Sequence, residues 1–357
     1  MLEQRAEREK YCVDPDYLYG WQCGWGKLLT ERRFRLERSN QHNGGDNLLC
    51  MNDLRVRMPD NVSSYSERAT LSASRTTMRS LTFIAVFLAS FSALGAEPRV
   101  VRDLPYIEPK NERQLLDVYA PAEGKDHPVI VWIHGGGWRR GDKGGLRLKP
   151  QFFNDRGFVL VSTTYRFAPE VSIKEMMGDV AKAIRWTHEH AKEYGGDPNS
   201  IVVMGHSAGA HLAALVCTDE RYLKAEGLSL KILEGCVPVD VSVYDIPTRL
   251  ADGPIGTGNL AEIFGKTIDE QRDVSPAAHV ARDKHIPPFL ILHVLEQPPT
   301  KSQPQSERFA KVLQDAGIAA QVYGAAGKTH GTISSDIGVP DDPLTAVVKE
   351  FLDSVKR

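Results

Sequence analysis

The segment IVVMGHSAGAHLAAL, residues 201–215, constrains the fold of this chain more than any other feature. Its apolar beginning predicts a buried strand, and its alanine-rich remainder predicts a helix. Ser207 stands at the junction, with Gly205 and Gly209 on either side. This G-x-S-x-G pattern predicts a turn so tight that side chains at the two glycine positions would clash. The hydroxyl of Ser207 would then lie above the sheet edge, where the N-terminus of the helix favours developing negative charge.

The C-terminal part of the chain alternates between apolar runs and segments with helical period. This alternation predicts an α/β fold with a mainly parallel central sheet and helices on both faces. The predicted strands span 115–120, 128–134, 158–165, 201–205, 233–239, 287–294 and 319–325, and the predicted helices span 172–194, 208–217, 302–317 and 343–355. The Gly-, Pro- and Asp-rich segment 245–286 is predicted to be a loop that roofs or flanks a pocket.

Charge and cysteine content argue against two classes of site. The 357-residue chain has a formal net charge of −2, so we expect no strongly basic surface for nucleic acid or for an anionic membrane. Its five cysteines include no C-x-x-C pair. Neither a zinc site nor a dithiol redox motif is therefore predicted.

An export signal is predicted well inside the chain. The sequence MRSLTFIAVFLASFSALGA, residues 78–96, has a basic start, a short apolar stretch and small residues suited to cleavage near Ala93-Leu94-Gly95. The apolar stretch is shorter than the roughly 20 residues of a bilayer span. We therefore expect no stable membrane span and an exported protein, periplasmic or secreted. A membrane anchor and a buried helix are the alternatives.

The residues before this segment are predicted to lie outside the folded domain. Residues 1–77 show neither a helical nor a strand period. They are interpreted as a disordered extension, or as sequence wrongly assigned upstream of Met78, the true start. The alternative is a cytoplasmic tail that precedes a membrane anchor. The expected organisation is an extension over 1–77, a signal peptide over 78–96 and one α/β domain over 97–357.

A second glycine-rich turn follows the strand predicted over 128–134. The sequence WIHGGGWRRG, residues 132–141, carries Gly135, Gly136 and Gly137 in a row. Successive glycines let the backbone approach a bound molecule and turn its N–H groups inward, as an oxyanion hole requires.

The motifs HGGGW, residues 134–138, and GHSAG, residues 205–209, together resemble those of the α/β-hydrolase fold. More narrowly, they are similar to hormone-sensitive-lipase-like serine esterases and to bacterial feruloyl or acetyl-xylan esterase-like proteins. The segments YRFAPE, residues 165–170, and GGDPNS, residues 195–200, fit the same branch. The resemblance begins at about residue 115 and continues to the end of the chain.

This resemblance implies a role for each residue of the two motifs. Ser207 would be the nucleophile. The backbone N–H groups implied for the oxyanion hole are those of Gly136, Gly137 and Ala208. The residues implied to support the two turns are His134, Gly135, Gly205 and Gly209.

The general base is expected after the last strand. His330, in the sequence AAGKTHGTI, has this place. A serine hydroxyl is a poor nucleophile until a base takes its proton, so His330 is the predicted partner of Ser207.

The acid of the triad is expected from the family after the strand at 287–294. No Asp occurs there, and Glu296 stands at the matching position. Because a glutamate can orient the histidine in such a triad, Glu296 is the predicted acid. Asp240 and Asp245, past the preceding strand, are the alternatives.

The combined motifs predict two-step ester hydrolysis through an acyl-enzyme, without a metal or an organic cofactor. The expected substrates are small-molecule or polysaccharide-linked esters with short-chain, acetyl or feruloyl groups. An amide hydrolase, such as an arylformamidase or a peptidase, and a non-catalytic binding protein on the same fold are the alternatives. Aromatic residues that would either line a pocket or pack in the core are Trp138, Tyr165, Phe167 and Tyr244.

Overall fold

The computed structural model describes residues 98–253, 261–295 and 301–356, so the predicted extension and export signal lie outside the described ranges. The strands are β1 (Arg99–Pro105), β2 (Leu115–Ala120), β3 (His127–Ile133), β4 (Val159–Thr163), β5 (Gly196–His206), β6 (Leu233–Val239), β7 (Phe289–Leu295) and β8 (Ala320–Ala326). The helices are α1 (Lys149–Asn154), α2 (Ile173–His190), α3 (Ala208–Thr218), α4 (Glu220–Ala225), α5 (Ile246–Ala251), α6 (Ala261–Phe264), α7 (Ile268–Asp273), α8 (Ser302–Asp315), α9 (Thr332–Ser335) and α10 (Pro343–Ser354). None of the helices in the described ranges is both long and apolar enough to cross a bilayer.

The strands of the described residues form one eight-stranded sheet in the order β1-β2-β4-β3-β5-β6-β7-β8. Every pair from β4 to β8 is parallel, whereas β2 runs antiparallel to both of its neighbours. The carboxyl ends of the parallel strands therefore meet at one edge of the sheet, which is where such folds bind ligands. The mainly parallel α/β fold predicted from the sequence is confirmed.

Alternate residues of the central strands enter two separate cores, as expected for a sheet covered on both faces. On β3, Val131 and Ile133 pack in one core with residues of α2 and α3. Ile130 and Trp132 pack in the other core with residues of α1 and α10. Because both faces are largely filled with apolar side chains, the ends of the strands are the natural place for a polar site.

The fold contains several short elements that the sequence does not predict, among them α4 and α9. The sequence does not predict β1, because this edge strand is largely exposed and lacks the apolar run of a buried strand. It does not predict α1, because a helix of six residues is too short to show a helical period. The segment 245–286, predicted as a loop, contains α5, α6 and α7.

A buried ion pair ties the chain after β4 to helix α2. Asp179, which is 1 % exposed, accepts hydrogen bonds from the guanidinium of Arg166 and from the amide of Gln114. A buried carboxylate is tolerated only when its oxygens are paired in this way. The pair therefore holds Arg166 and its neighbour Tyr165, whose hydroxyl donates to the backbone oxygen of His134 at 3.1 Å. This network braces the glycine-rich turn that begins at His134.

Helix α3 begins against the end of β3 at a distance that only glycine allows. A Cβ atom on Gly209 would lie 2.2 Å from the carbonyl oxygen of Ile133. A Cβ atom on Gly205 would lie 2.3 Å from the carbonyl oxygen of Gly209. The structure thus shows the clash that the G-x-S-x-G pattern predicts at both flanking positions.

We expect G209A to lower the free energy of unfolding by about 2–4 kcal/mol, because the added methyl group overlaps the rigid backbone of β3. G178A is the matched control. Gly178 is also helical, but a methyl group added there would find its nearest neighbour, the side-chain nitrogen of Lys182, at 3.9 Å. The control should raise the free energy of unfolding by about 0.5–1 kcal/mol through helix propensity. Urea titrations measure both changes, and equal effects of the two substitutions would contradict the close approach.

Candidate active site

Ser207 occupies a strained turn between β5 and α3. Its backbone has φ 55° and ψ −120°, and it is the N-cap residue of α3. A positive φ is unusual for a residue other than glycine and marks strain that surrounding structure must hold in place. Here the N–H group of Ser207 donates to the carbonyl oxygen of Val239 at 2.9 Å, which fixes the turn to the end of β6. The half-buried hydroxyl is left facing the carboxyl edge of the sheet.

His330 lies next to this hydroxyl, as the sequence predicts. Nε2 of His330 is 2.9 Å from Oγ of Ser207, and Nδ1 is 2.6 Å from Oδ2 of Asp240. Nδ1 carries the proton donated to Asp240, so Nε2 is free to accept a proton from Ser207. The three side chains therefore form a continuous series from carboxylate to imidazole to hydroxyl.

Asp240 follows β6 and is held by contacts on both of its oxygens. While Oδ2 faces His330, Oδ1 accepts hydrogen bonds from the N–H group of Val294 at 3.1 Å and from the hydroxyl of Ser302 at 2.7 Å. Burial by itself raises the pKa of Asp240, but the hydrogen bonds from His330, Ser302 and Val294 outweigh burial and hold this pKa below its ordinary value. The carboxylate therefore remains charged at neutral pH.

The carboxylate that faces His330 is Asp240, one of the two alternatives to the predicted acid Glu296. Glu296 lies outside the described residues, and Nδ1 of His330 faces Asp240 instead. Asp245, the other alternative, caps helix α5 through Thr248. The physical reason is the strand order: β6 lies directly beside β5, so a residue following β6 reaches the histidine next to Ser207.

The glycine-rich turn after β3 lies against Ser207. A Cβ atom on Gly135 would be 3.0 Å from Cβ of Ser207. Gly136 and Gly137 have φ of 129° and 62°, which orients their backbone in a way that other residues rarely adopt. Ala208 is the first residue of α3, and the N–H groups of a first helical turn have no partner within the helix. These are the donors that an oxyanion hole next to Ser207 requires.

His134 supports this turn and takes no part in the series of proton contacts. Its Nδ1 is 2.6 Å from the carbonyl oxygen of Gly135, and its ring stacks on Tyr165 with centroids 4.6 Å apart. Burial lowers the pKa of His134, although the hydrogen bond to Gly135 opposes the shift. These contacts tie the ring to the glycine-rich turn and to the core residue Tyr165.

A cleft of about 480 Å³ opens over Ser207 and His330. The side chain of His330 is 57 % exposed, so the cleft is open to solvent. Its lining is mainly glycine and polar, and consists of Trp132, His134, Gly135, Gly136, Gly137, Arg140, Asp142, Gly144, Gly145, His206, Ser207, His330 and Ser334.

The aromatic residues considered from the sequence pack in the core. Trp138, Tyr165, Phe167 and Tyr244 are all buried, and none of them lines this cleft. The described part of 245–286 does not line it either. That segment instead flanks the glycine-rich turn, where Phe264 packs on Trp138 with ring centroids 4.9 Å apart. Within the described residues, no group of three or more His, Cys, Asp or Glu side chains is placed to hold a metal ion.

We expect D240N to slow the covalent reaction of Ser207 with a fluorophosphonate probe by up to about 10⁴-fold, because the amide no longer holds the histidine in its required tautomer. E296Q is the matched control and should react at nearly the wild-type rate. Labelling rates measured by intact-protein mass spectrometry decide between the two acids. A large loss in E296Q with little loss in D240N would return the role to Glu296.

Comparisons with known proteins find relatives that are named esterases. A model of the BD-FAE family matches residues 116–313. A probable isoprenylcysteine alpha-carbonyl methylesterase of Arabidopsis thaliana is 30 % identical over 274 residues, which are 72 % of this chain and 55 % of that protein. Esterase LipQ of Mycobacterium tuberculosis is 28 % identical, over 70 % of this chain and 61 % of its own length. The chain thus spans less than two thirds of these two relatives.

Solved structures share the same architecture. Thermogutta terrifontis esterase 2, solved with propionate bound, is 27 % identical, with a TM-score of 0.56 over 74 % of this chain and 96 % of that one. Esterase B from Lactobacillus rhamnosis has a TM-score of 0.60 over 78 % of this chain and 92 % of its own, at 19 % identity, and shows likeness of fold. Since the family model covers more than half of the sequence, the chain belongs to the BD-FAE family and has the α/β-hydrolase fold.

Proposed function

We propose that the protein is a serine carboxylesterase with the triad Ser207, His330 and Asp240. The observation that carries this proposal is the unbroken series of contacts, 2.6 Å from Asp240 to His330 and 2.9 Å from His330 to Ser207, at the floor of an open cleft. The names of the relatives support the same class of reaction: they are called a methylesterase and an esterase.

The reaction proceeds in two acyl transfers. Oγ of Ser207 attacks the ester carbonyl carbon while Nε2 of His330 takes the hydroxyl proton. The N–H groups of Gly136, Gly137 and Ala208 hold the negative oxygen of the tetrahedral intermediate. His330 then gives its proton to the leaving alcohol oxygen, and an acyl-enzyme remains on Ser207.

In the second half of the cycle, water attacks the acyl-enzyme and Ser207 becomes the leaving group. His330 takes a proton from the attacking water, a second tetrahedral intermediate forms, and its collapse releases the acid and returns the proton to Oγ of Ser207. Asp240 stabilises the charged imidazole in both halves without taking its proton. The depressed pKa of Asp240 keeps it charged for this purpose.

We further propose short acyl groups and polar, carbohydrate-type alcohols as the substrate class. Five glycines together with Arg140, Asp142 and Ser334 line the cleft, and Trp132 is the large apolar side chain among the described lining residues. Such a lining offers little apolar surface for a long acyl chain. The exposure of His330 leaves room for a bulky alcohol, such as a sugar within a polysaccharide, on the solvent side.

A panel of acetyl, butyryl, octanoyl and feruloyl esters tests the reaction and the acyl preference. We expect kcat/KM for the acetyl and butyryl esters to be at least about tenfold higher than for the octanoyl ester, because the cleft offers no apolar groove that would bind the longer acyl chain. S207A should lose about 10⁶ in turnover. Faster cleavage of the octanoyl or feruloyl ester than of the acetyl ester would overturn the short-acyl assignment.

An acetyl anilide, run beside the acetyl ester, tests the bond type. The ester should be cleaved at a rate far above that of the anilide. Comparable rates would favour an amide hydrolase. If the protein neither hydrolyses these compounds nor reacts with the fluorophosphonate at Ser207, a non-catalytic binding protein on this fold would be favoured.

We also propose that residues 78–96 are an export signal, so that the mature protein is periplasmic or secreted. The support is the order of a basic start, a short apolar stretch and small residues in the sequence. Mass spectrometry of the native protein should find an N-terminus close to residue 96 in the exported fraction. Recovery of peptides from 1–77 in the native protein would contradict this processing.

A further inference from the structure

We propose that His206 is a positioning residue that holds the backbone of His330, and so keeps the general base aimed at Ser207. This inference rests on the proposed function and extends it to a further residue of the cleft lining, outside the triad and the oxyanion donors. Nε2 of His206 is 2.7 Å from the carbonyl oxygen of His330, and the two rings lie 4.7 Å apart. The residue next to the nucleophile in sequence is thus bonded to the backbone of the base.

The loop that carries His330 needs such an anchor. It leaves β8, the last strand of the sheet, and must return past β7 and β6 to reach the end of β5. The side chain of His330 is 57 % exposed, so packing contributes little to its position. Lys328 pairs with Asp336 and Asp342, and Nζ of Lys149 donates to the carbonyl oxygen of Ser334, so these contacts hold the loop on either side of His330 and not at His330 itself. His206, by contrast, belongs to a central strand.

His206 is itself held in place by the rigid end of β5. Its backbone pairs with Val239 on β6, which directly precedes the acid Asp240. On another side, a Cβ atom on Gly135 would lie 3.1 Å from Nδ1 of His206. The ring is therefore wedged between the glycine-rich turn and the loop of His330. The backbone of His206 thus pairs with the strand that leads to Asp240, while its side chain lies between the glycine-rich turn and the loop of His330.

The charge state of His206 suits this role. Donation to a carbonyl oxygen requires the proton on Nε2, which leaves Nδ1 bare in the neutral ring. Burial and the neighbouring His330 lower the pKa of His206 to about 4, with a further contribution from Lys149, while the bond to His330 and the charge of Asp240 oppose the shift. The ring is therefore neutral at neutral pH, and it does not repel the imidazolium that His330 becomes during catalysis.

The test compares H206Q with H206M, two side chains of equal length, of which only glutamine offers an N–H donor at the end. We expect H206M to lower kcat on the acetyl ester by about 10- to 100-fold with little change in KM, since a small misplacement of a catalytic group has an effect of this size. H206Q should recover most of the lost kcat. The rate of fluorophosphonate labelling of Ser207 should follow the same order, and thermal unfolding should not differ between the two variants.

Three outcomes would overturn the role. Equal kcat in H206Q and H206M would show that the hydrogen bond does not matter. A selective rise in KM would make His206 a substrate contact instead. If H206M does not fold, the wild-type protein still decides: a nitrogen NMR titration of His206 must show one neutral tautomer, protonated on Nε2, between pH 6 and 8, and any other tautomer rejects the bond.

The labelling measurement keeps this test separate from that of the proposed function. A wild-type protein that reacts with the fluorophosphonate but cleaves no ester would refute the carboxylesterase proposal. The comparison of H206Q with H206M by labelling rate would remain valid in that case, because it reports on the reactivity of Ser207 alone.

Discussion

The close approach of helix α3 to the end of β3 is the constraint on which the site depends. Gly209 meets the carbonyl oxygen of Ile133 with no space for a methyl group. This contact brings the strained turn at Ser207 beside the glycine-rich turn that continues from β3. Ser207 and Ala208 lie on one segment and Gly136 and Gly137 on another, and this backbone contact helps to set the spacing between the two segments. The apolar cores on both faces of the sheet hold that contact in place.

The charge states of the ionisable side chains at the sheet edge depend on the same arrangement. Asp240 stays charged because its two oxygens accept hydrogen bonds from the base on one side and from Val294 and Ser302 on the other. His134 and His206 are kept neutral through lowered pKa values. Of the histidines around Ser207, His330 is therefore the one whose ring is both exposed and paired with a carboxylate.

From the sequence, Ser207 and His330 were easier to identify as candidate site residues than the carboxylate that faces His330. Ser207 can be recognised because the tight turn around it requires glycine on either side. His330 can be recognised because it follows the last strand. The choice between Asp240, Asp245 and Glu296 depends on which strand end faces the imidazole, and that is a property of strand order rather than of local sequence. The edge strand β1 and the short helix α1 escape prediction for a related reason, since neither has enough apolar periodicity of its own.

The bond from the Val294 amide to Asp240 ties the charge at the sheet edge to the pairing of two strands. Asp240 follows β6 and Val294 lies on β7, so the carboxylate keeps this hydrogen bond only while the ends of the two strands stay in register. A change that shifts the end of β7, even one far from the cleft, would therefore alter the direction in which the carboxylate faces His330.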